Sequence, residues 1–449
     1  MTVSLRALAE QLGSGHLSAV ELARQTLERA DASQSVFTRI NDSLISQAEQ
    51  KDKSRDQGNA AIFDGIPLTI KDLFDIRGEI TLAGSRALEH EVSPAAEDAS
   101  VVATLRSAGF LFAGRTNMSE FAFSGMGMNP HFGTPLSIWD RQTGRLPGGS
   151  SSGSAVSVAE GIVAATMGSD TAGSCRVPAA FNGIVGVKPS YGRYSLQGVY
   201  PLSPSSDAPG PLAVDVDSCF LIDRFLTGRM GDSEPLPRLP DVSLAQIRLA
   251  IPKASVMQGL DSEVETAFSN AVELLRAAGV EIIETEMSVI SDAMEMFLKR
   301  PVVLYEAWNA HRERLERHGD LYDPYVRLRM SPGEHVSLEE QQERLREKSQ
   351  IRRRFESTMH AQSLDAVIYP TAPVIPPPIP HDVPVEQLGS INLPCLRNTA
   401  TVNYLDGCSI SLPCHANDGP PVGLMVSAVH GADDRLYEIA AAIERVLRR

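Results

Sequence analysis

Lys71 and the serines of the stretch "PGGSSSGSAVSVAEGIVAATMGSDTAGSCR", from Pro147 to Arg176, are the residues of this chain best suited to chemistry. Glycine relaxes the backbone and serine supplies a hydroxyl, so the stretch could be a linker, a phosphate cradle or a catalytic wall. Linkers are polar throughout, whereas Ala155 to Met167 is dense in alanine, valine and isoleucine and must be buried. Gly148 and Gly153 have the glycine spacing of a phosphate loop, but Ser154 stands where its charge-neutralising lysine belongs. Gly149-Ser150-Ser151-Ser152-Gly153 fits GxSxG, the pattern of a strained nucleophile turn centred on Ser151. Such a turn needs an acid and a histidine downstream. None of His311, His318, His335, His360, His381, His415 and His430 stands in a context that suggests catalysis.

A fourth reading joins the stretch to Lys71. The blocks "GIPLTIKDLFD", "AGRTNMSEFAF", "PGGSSSGSA", "GSDTAGSCRVPAAFNGIVGVKPSYGR", "LDAVIYPTAP" and "PVGLMV" follow one another over most of the chain. With them the chain resembles the amidase signature family. The resemblance implies one α/β domain spanning residues 1–449, with a large mixed β-sheet sandwiched between α-helical layers. It also implies that Ser174 in "DTAGSCR" is the nucleophile and Lys71 in "TIKD" the catalytic lysine. Ser150 in "PGGS" is then the bridging serine, 174 − 150 = 24 residues earlier. The backbone amides of Thr171, Ala172, Gly173 and Ser174 would hold an oxyanion, and a cis peptide would precede Ser150. Asp170 and Arg176 would brace that loop as a buried ion pair, with Ser151 and Thr116 as supporting hydrogen-bonding groups.

These residue types suit acyl transfer. An alcohol is a poor nucleophile near neutral pH and needs a base within hydrogen-bond reach. A hydroxyl both donates and accepts, so Ser150 can take a proton from Ser174 while passing its own to Lys71. Lysine accepts only when neutral, and its ordinary pKa of about 10.4 must be lowered by burial. The apolar neighbours in "IPLTI" and "LF" are consistent with that burial. Negative charge then grows on the carbonyl oxygen, where backbone N–H groups are worth about 3–4 kcal/mol each. Ala172 replaces a family glycine and requires a negative φ to avoid strain. Cys175 replaces an aliphatic residue and reads as packing; Ser152 replaces another glycine and adds a hydrogen bond.

The reaction class that follows is C–N bond hydrolysis through a serine acyl-enzyme, with no cofactor and no metal. The chain has no HExxH, no clustered His/Cys ligands and no complete phosphate loop. Gly125, Met126, Met128 and Phe132 are the candidate substrate wall, with Tyr305, Trp308 and Thr371 as further candidates, and they favour an apolar or aryl group. Carboxamides, aryl amides, indole-acetamide-type compounds, carbamates (urethanes) and esters all present the same attackable carbonyl. A second role on the same scaffold is the glutaminase subunit of a tRNA-dependent amidotransferase. The segment "YDPYVRLRMSPGEHV" does not resemble the arginine-pair and glycine segment expected of that subunit.

Around these residues the chain reads as alternating helices and strands, an α/β layer pattern. Residues 1–60 read as helical, with Ser18 capping one helix and Glu21 reaching back to it. Residues 66–70, "GFLFAGRTN", "IRLAIPKA", "LDAVIYP" and "PVGLMV" read as strands, and 230–245 as a proline-rich surface excursion. The charged run within 305–357 reads as a solvated helix face, and about 230–360 as the variable, substrate-facing segment. Hydrophobic residues are 43% of the 449 and charged residues 22%, a profile with ample core. The net charge, 41 − 56 = −15, opposes binding to nucleic acid or anionic membranes. The five cysteines lack CxxC spacing, and no apolar run is long enough for a signal peptide or a membrane span. A cytoplasmic monomer or homodimer acting on a small molecule is the expectation.

Overall fold

Pro67–Lys71 and Ala165–Asp170 are buried at every residue in the computed structural model, which describes residues 3–89, 91–230 and 235–448. Both strands are covered on both faces, and the polar side chains they carry, Thr69 and Lys71 in one and Thr166, Ser169 and Asp170 in the other, are buried with them. They belong to one eleven-stranded mixed sheet among the described residues. Its strands are β1 (Phe37–Ile40), β2 (Pro67–Lys71), β3 (Leu111–Thr116), β4 (Ala165–Asp170), β5 (Val185–Lys188) and β6 (Ala208–Ala213). The rest are β7 (Arg248–Lys253), β8 (Glu281–Glu286), β9 (Ala366–Pro370), β10 (Cys408–Pro413) and β11 (Gly423–Ala428). Their order across the sheet is β1-β3-β2-β4-β6-β5-β10-β11-β9-β7-β8.

β2 lies parallel to β3 on one side and to β4 on the other, with Lys71 opposite Thr116 and Ile70 opposite Met167. The carboxyl ends of three parallel strands therefore meet at one edge, and Lys71, Thr116 and Asp170 are their last residues. Along β9, Ala366 and Ile368 join one apolar body while Val367 and Tyr369 join another. Leu424 and Val426 of β11 separate from Met425 in the same way. Side chains alternate across a strand, so the core lies on both faces of the sheet. This is the expected α/β architecture.

Two local expectations change. Residues 1–60 form the helices Leu5–Gly13, Ala19–Ala32 and Leu44–Asp56, but also the edge strand β1, too short and too evenly half-buried to show a period. Ser18 Oγ caps Ala19–Ala32 by accepting from Glu21 N at 3.0 Å. The charged helix Leu338–Ala361 is not solvated all round: Gln341, Arg344, Lys348, Ile351, Phe355 and Met359 form a buried stripe at three- and four-residue spacing. Its polar members stay hydrogen-bonded, Lys348 Nζ reaching Ser205 O at 2.9 Å and Asp406 Oδ1 at 2.7 Å. Within the proline-rich run, residues 231–234 lie outside the described residues, and only Leu244–Gln246 forms a short 3-10 turn. All five cysteines are free, and no described helix is long and apolar enough to cross a membrane.

Candidate active site

Lys71 ends β2 with no solvent exposure, and its Nζ lies 2.7 Å from Ser150 Oγ and 2.9 Å from Ser169 Oγ. No carboxylate among the described residues bonds to it. Burial pushes its pKa down to about 7, against the pull of Cys175, Asp170 and Asp207 toward a higher value. A neutral amine has two N–H groups and one lone pair. It can give an N–H to Ser169 and take the Ser150 proton on the lone pair. Ser150 arrives on a loop that passes close under residues 125–127: Gly149 N donates to Gly125 O at 2.8 Å. A Cβ on Gly149 would sit 2.5 Å from Gly127 N, so only glycine fits. The Gly149–Ser150 peptide is cis. Sequence reasoning missed Ser169, whose place beside Lys71 follows from the β2–β4 pairing.

The loop after β4 is built on Asp170. This carboxylate accepts from Gly173 N at 2.8 Å, Cys175 N at 3.1 Å, Arg176 Nε at 3.0 Å and Nη2 at 2.9 Å, and Asn403 Nδ2 at 2.9 Å. Burial alone would raise its pKa; Arg176 and Asn403 bring it down to about 2. Arg176 and Asp170 are both fully buried, and Arg176 Nη2 also donates to Asn403 Oδ1 at 2.6 Å. Asn403 and Thr399 come from the helix Gly389–Tyr404, and Thr399 Oγ1 donates to Ala172 O at 2.8 Å. Gly173 takes φ +130°, where a Cβ would also strike Thr399 Oγ1 at 2.0 Å.

One part of the expected oxyanion set changes. The Gly173 amide is taken by Asp170, whereas those of Thr171, Ala172 and Ser174 have no hydrogen-bond partner among the described residues. Ala172 is not among the residues with positive φ. Ser151 N donates to Ser174 O at 3.2 Å, tying the two serine segments together. No hydrogen bond joins the Ser150 and Ser174 hydroxyls among the described residues. Ser151 Oγ faces β4, within 3.3 Å of Ser169 O, and Ser152 Oγ donates to Asn117 O at 3.4 Å. Thr116 Oγ1 pairs with Ser154 Oγ at 2.7 Å. Cys175 is fully buried, and burial raises its thiol well above the ordinary range, so it is no nucleophile here.

Ser174, Thr171 and Ala172 line a cavity whose other walls include Phe123, Ser124, Phe297, Arg329, Leu396 and Tyr404. Gly125, Met126, Met128 and Phe132 do not line it. Gly125 N is bound to Asn392 Oδ1 at 2.7 Å, and Met126 packs with Leu146, Tyr325 and Leu388. Phe121 and Ala122 adopt left-handed backbone conformations, φ +50° and +60°, which redirect the chain before residue 125. Tyr305, Trp308 and Thr371 are also absent from the wall, Thr371 Oγ1 being paired with Ser411 Oγ at 2.7 Å. The segment expected to face substrate does contribute, through Phe297, Val302, Val303 and Arg329.

The family model for amidases covers residues 19–437. The chain is 32% identical to one of the subunits of the glutamyl-tRNA(Gln) amidotransferase of Chromohalobacter salexigens, over 97% of this chain and 95% of that protein. It is also 32% identical to the 2-amino-5-chloromuconic acid deaminase of Comamonas testosteroni, over 85% and 82% of the two chains. A crystal structure of an amidase superposes with TM-score 0.87 at 31% identity, covering 99% of this chain and all of the other. The peptide amidase of Stenotrophomonas maltophilia superposes with TM-score 0.80 at 25% identity, over 99% and 97%. The chain belongs to the amidase family, the amidase signature enzymes that hydrolyse C–N bonds.

Proposed function

We propose that this chain hydrolyses carboxamides, or the related carbamates, through an acyl-enzyme on Ser174, with Ser150 relaying protons to a neutral Lys71. The observation that carries the reading is the buried Lys71 Nζ, 2.7 Å from Ser150 Oγ and without a carboxylate partner among the described residues. Ser174 Oγ attacks the carbonyl carbon, its proton passes to Ser150, and the Ser150 proton passes to Lys71, which becomes an ammonium. The oxyanion is held by the free amides of Thr171, Ala172 and Ser174. Collapse of the tetrahedral adduct breaks the C–N bond, and the relay run backwards protonates the leaving nitrogen. Water then attacks the acyl carbon and gives a proton to the same relay; the Ser174 ester bond breaks, that proton returns to Ser174 Oγ, and the acid leaves. Asp170, Arg176 and Asn403 keep the loop in shape and take no proton.

A second reading, the glutaminase subunit of a tRNA-dependent amidotransferase, is supported by the 32% identity to subunits of such enzymes over nearly the whole chain. One experiment separates the two. The purified chain is assayed alone on carboxamides, aryl amides, carbamates, esters and glutamine. Release of amine or ammonia from a non-glutamine amide, lost in Ser174→Ala, is expected. Glutamine hydrolysis that starts only when partner subunits are added would favour the second reading.

A further inference from the structure

The Ser174 cavity carries a cation that the hydrolysis does not use. Arg329, in the helix Pro324–Met330, is the one charged residue on the described wall. Its Nη1 donates to Phe123 O at 2.5 Å, and its guanidinium lies over the Phe123 ring at 4.4 Å and near the Tyr325 ring at 5.9 Å. A guanidinium has five N–H donors in a planar fork, so the Phe123 carbonyl satisfies one of them.

What Arg329 lacks is an acid. Arg115, Arg176, Arg193 and Arg344 each have one, in Asp72, Asp170, Asp223 and Glu340, whereas the half-buried Arg397 has none among the described residues but lies off the cavity wall. Among the described residues Arg329 is in no ion pair, and no carboxylate lines the cavity. Burial pulls its pKa below the ordinary arginine value, but an arginine stays charged in proteins. Arg329 therefore presents an uncompensated positive fork to a chamber whose wall is otherwise uncharged, with an apolar stretch formed by Leu202, Phe297, Val302, Val303 and Leu396. The two aromatic rings and the Phe123 carbonyl hold that fork in one orientation, so little order is lost when a ligand binds.

We propose that Arg329 anchors a carboxylate on the substrate, making the preferred substrate an amide that also bears a carboxylic acid across a short apolar spacer. The amide carbonyl sits at Ser174, the hydrocarbon spacer against the apolar wall, and the carboxylate pairs with the guanidinium through two parallel N–H···O bonds. This rests on the amidohydrolase reading of Ser174, and it adds the substrate class.

The test compares matched pairs on the purified chain: succinamate, glutaramate and adipamate against butyramide, valeramide and hexanamide, and 4-carbamoylbenzoate against 4-methylbenzamide. The native chain should favour the acid of the best pair by about 10²-fold in kcat/KM, chiefly through KM, the size expected for a desolvated charge pair. Arg329→Gln should collapse that ratio toward one, and Arg329→Lys should restore part of it. Arg327→Gln, on the exposed side of the same helix, should leave the ratio where it was. Calorimetry of the carbamoyl acids on Ser174→Ala gives a readout independent of turnover, and Arg329→Gln added to that variant should weaken binding by a similar factor. Turnover of neutral amides with no preference for acids would overturn the carboxylate anchor and leave the amidohydrolase reading standing. Binding of the acids through Arg329 without hydrolysis of any amide would do the reverse.

Discussion

Two fully buried ionisable centres lie on either side of Ser169, and they settle their charges in opposite ways. At Asp170 the chain supplies a bidentate arginine, an asparagine and two backbone amides, so the carboxylate stays ionised with its pKa near 2. At Lys71 it supplies two hydroxyls and, among the described residues, no carboxylate, so burial drives the pKa to about 7. A satisfied charge is inert and shapes a loop. An unsatisfied one gives up its proton near neutral pH and becomes a base. The difference lies in which partners the fold delivers.

The comparison breaks most visibly at Lys71. Lys71→Ala should lower kcat/KM by about 10²–10⁴-fold, the usual worth of a positioned general base. Native activity should rise as pH passes through about 7, because deprotonation creates the accepting form, and level off above it. The variant should lose that rise. A pH–rate series on both proteins checks it, and a native rate that falls through this range would contradict the assignment.

At the other centre the expected loss is in folding. Asp170→Asn leaves Arg176 buried without its counter-charge, which typically costs about 3–5 kcal/mol. Denaturant titration should show it as a lower midpoint. The sign with pH is fixed: the carboxylate's folded pKa lies below its unfolded one. Its contribution is therefore present above the ordinary carboxylate range and fades as pH falls toward about 2. An Asp170→Asn protein as stable as the native chain would mean that the pair does not hold the loop.

Ser169 stands between the two and should show the smallest effect. Removing its hydroxyl takes an acceptor from the Lys71 ammonium more than from the neutral amine, so the pKa should fall further. Ser169→Ala should shift the rise in activity to lower pH and slow the reaction about tenfold, the worth of one hydrogen bond to a charged group. A rate loss with no shift of the midpoint would assign Ser169 to packing.

How far the sequence reveals this site depends on distance along the chain. Lys71, Ser150 and the loop 170–176 lie in short blocks with unusual composition, and their neighbours announce burial. The runs of β2, β3, β7, β9 and β11 read as strands, whereas β4 is too rich in small and polar residues to do so, and β1 and the exposed β8 show no clean period. Ser169 was missed because its role comes from the pairing of β4 with β2, which no local pattern encodes. Asn403 and Thr399 lie more than two hundred residues beyond the loop they hold, on a helix with a proline inside it. The cavity wall was misplaced because Phe121 and Ala122 turn the chain without a glycine to mark the turn.

The most direct test needs no substrate. The purified chain is treated with a fluorophosphonate across pH 5.5–9, taken as roughly two units to each side of the folded Lys71 pKa, and the adduct is located and timed by peptide mass spectrometry. The account predicts an adduct on the peptide bearing Ser174, forming faster as pH rises through about 7, and slow and nearly independent of pH in Lys71→Ala. An adduct on Ser151 or Cys175, or a pH dependence that survives the loss of Lys71, would contradict it.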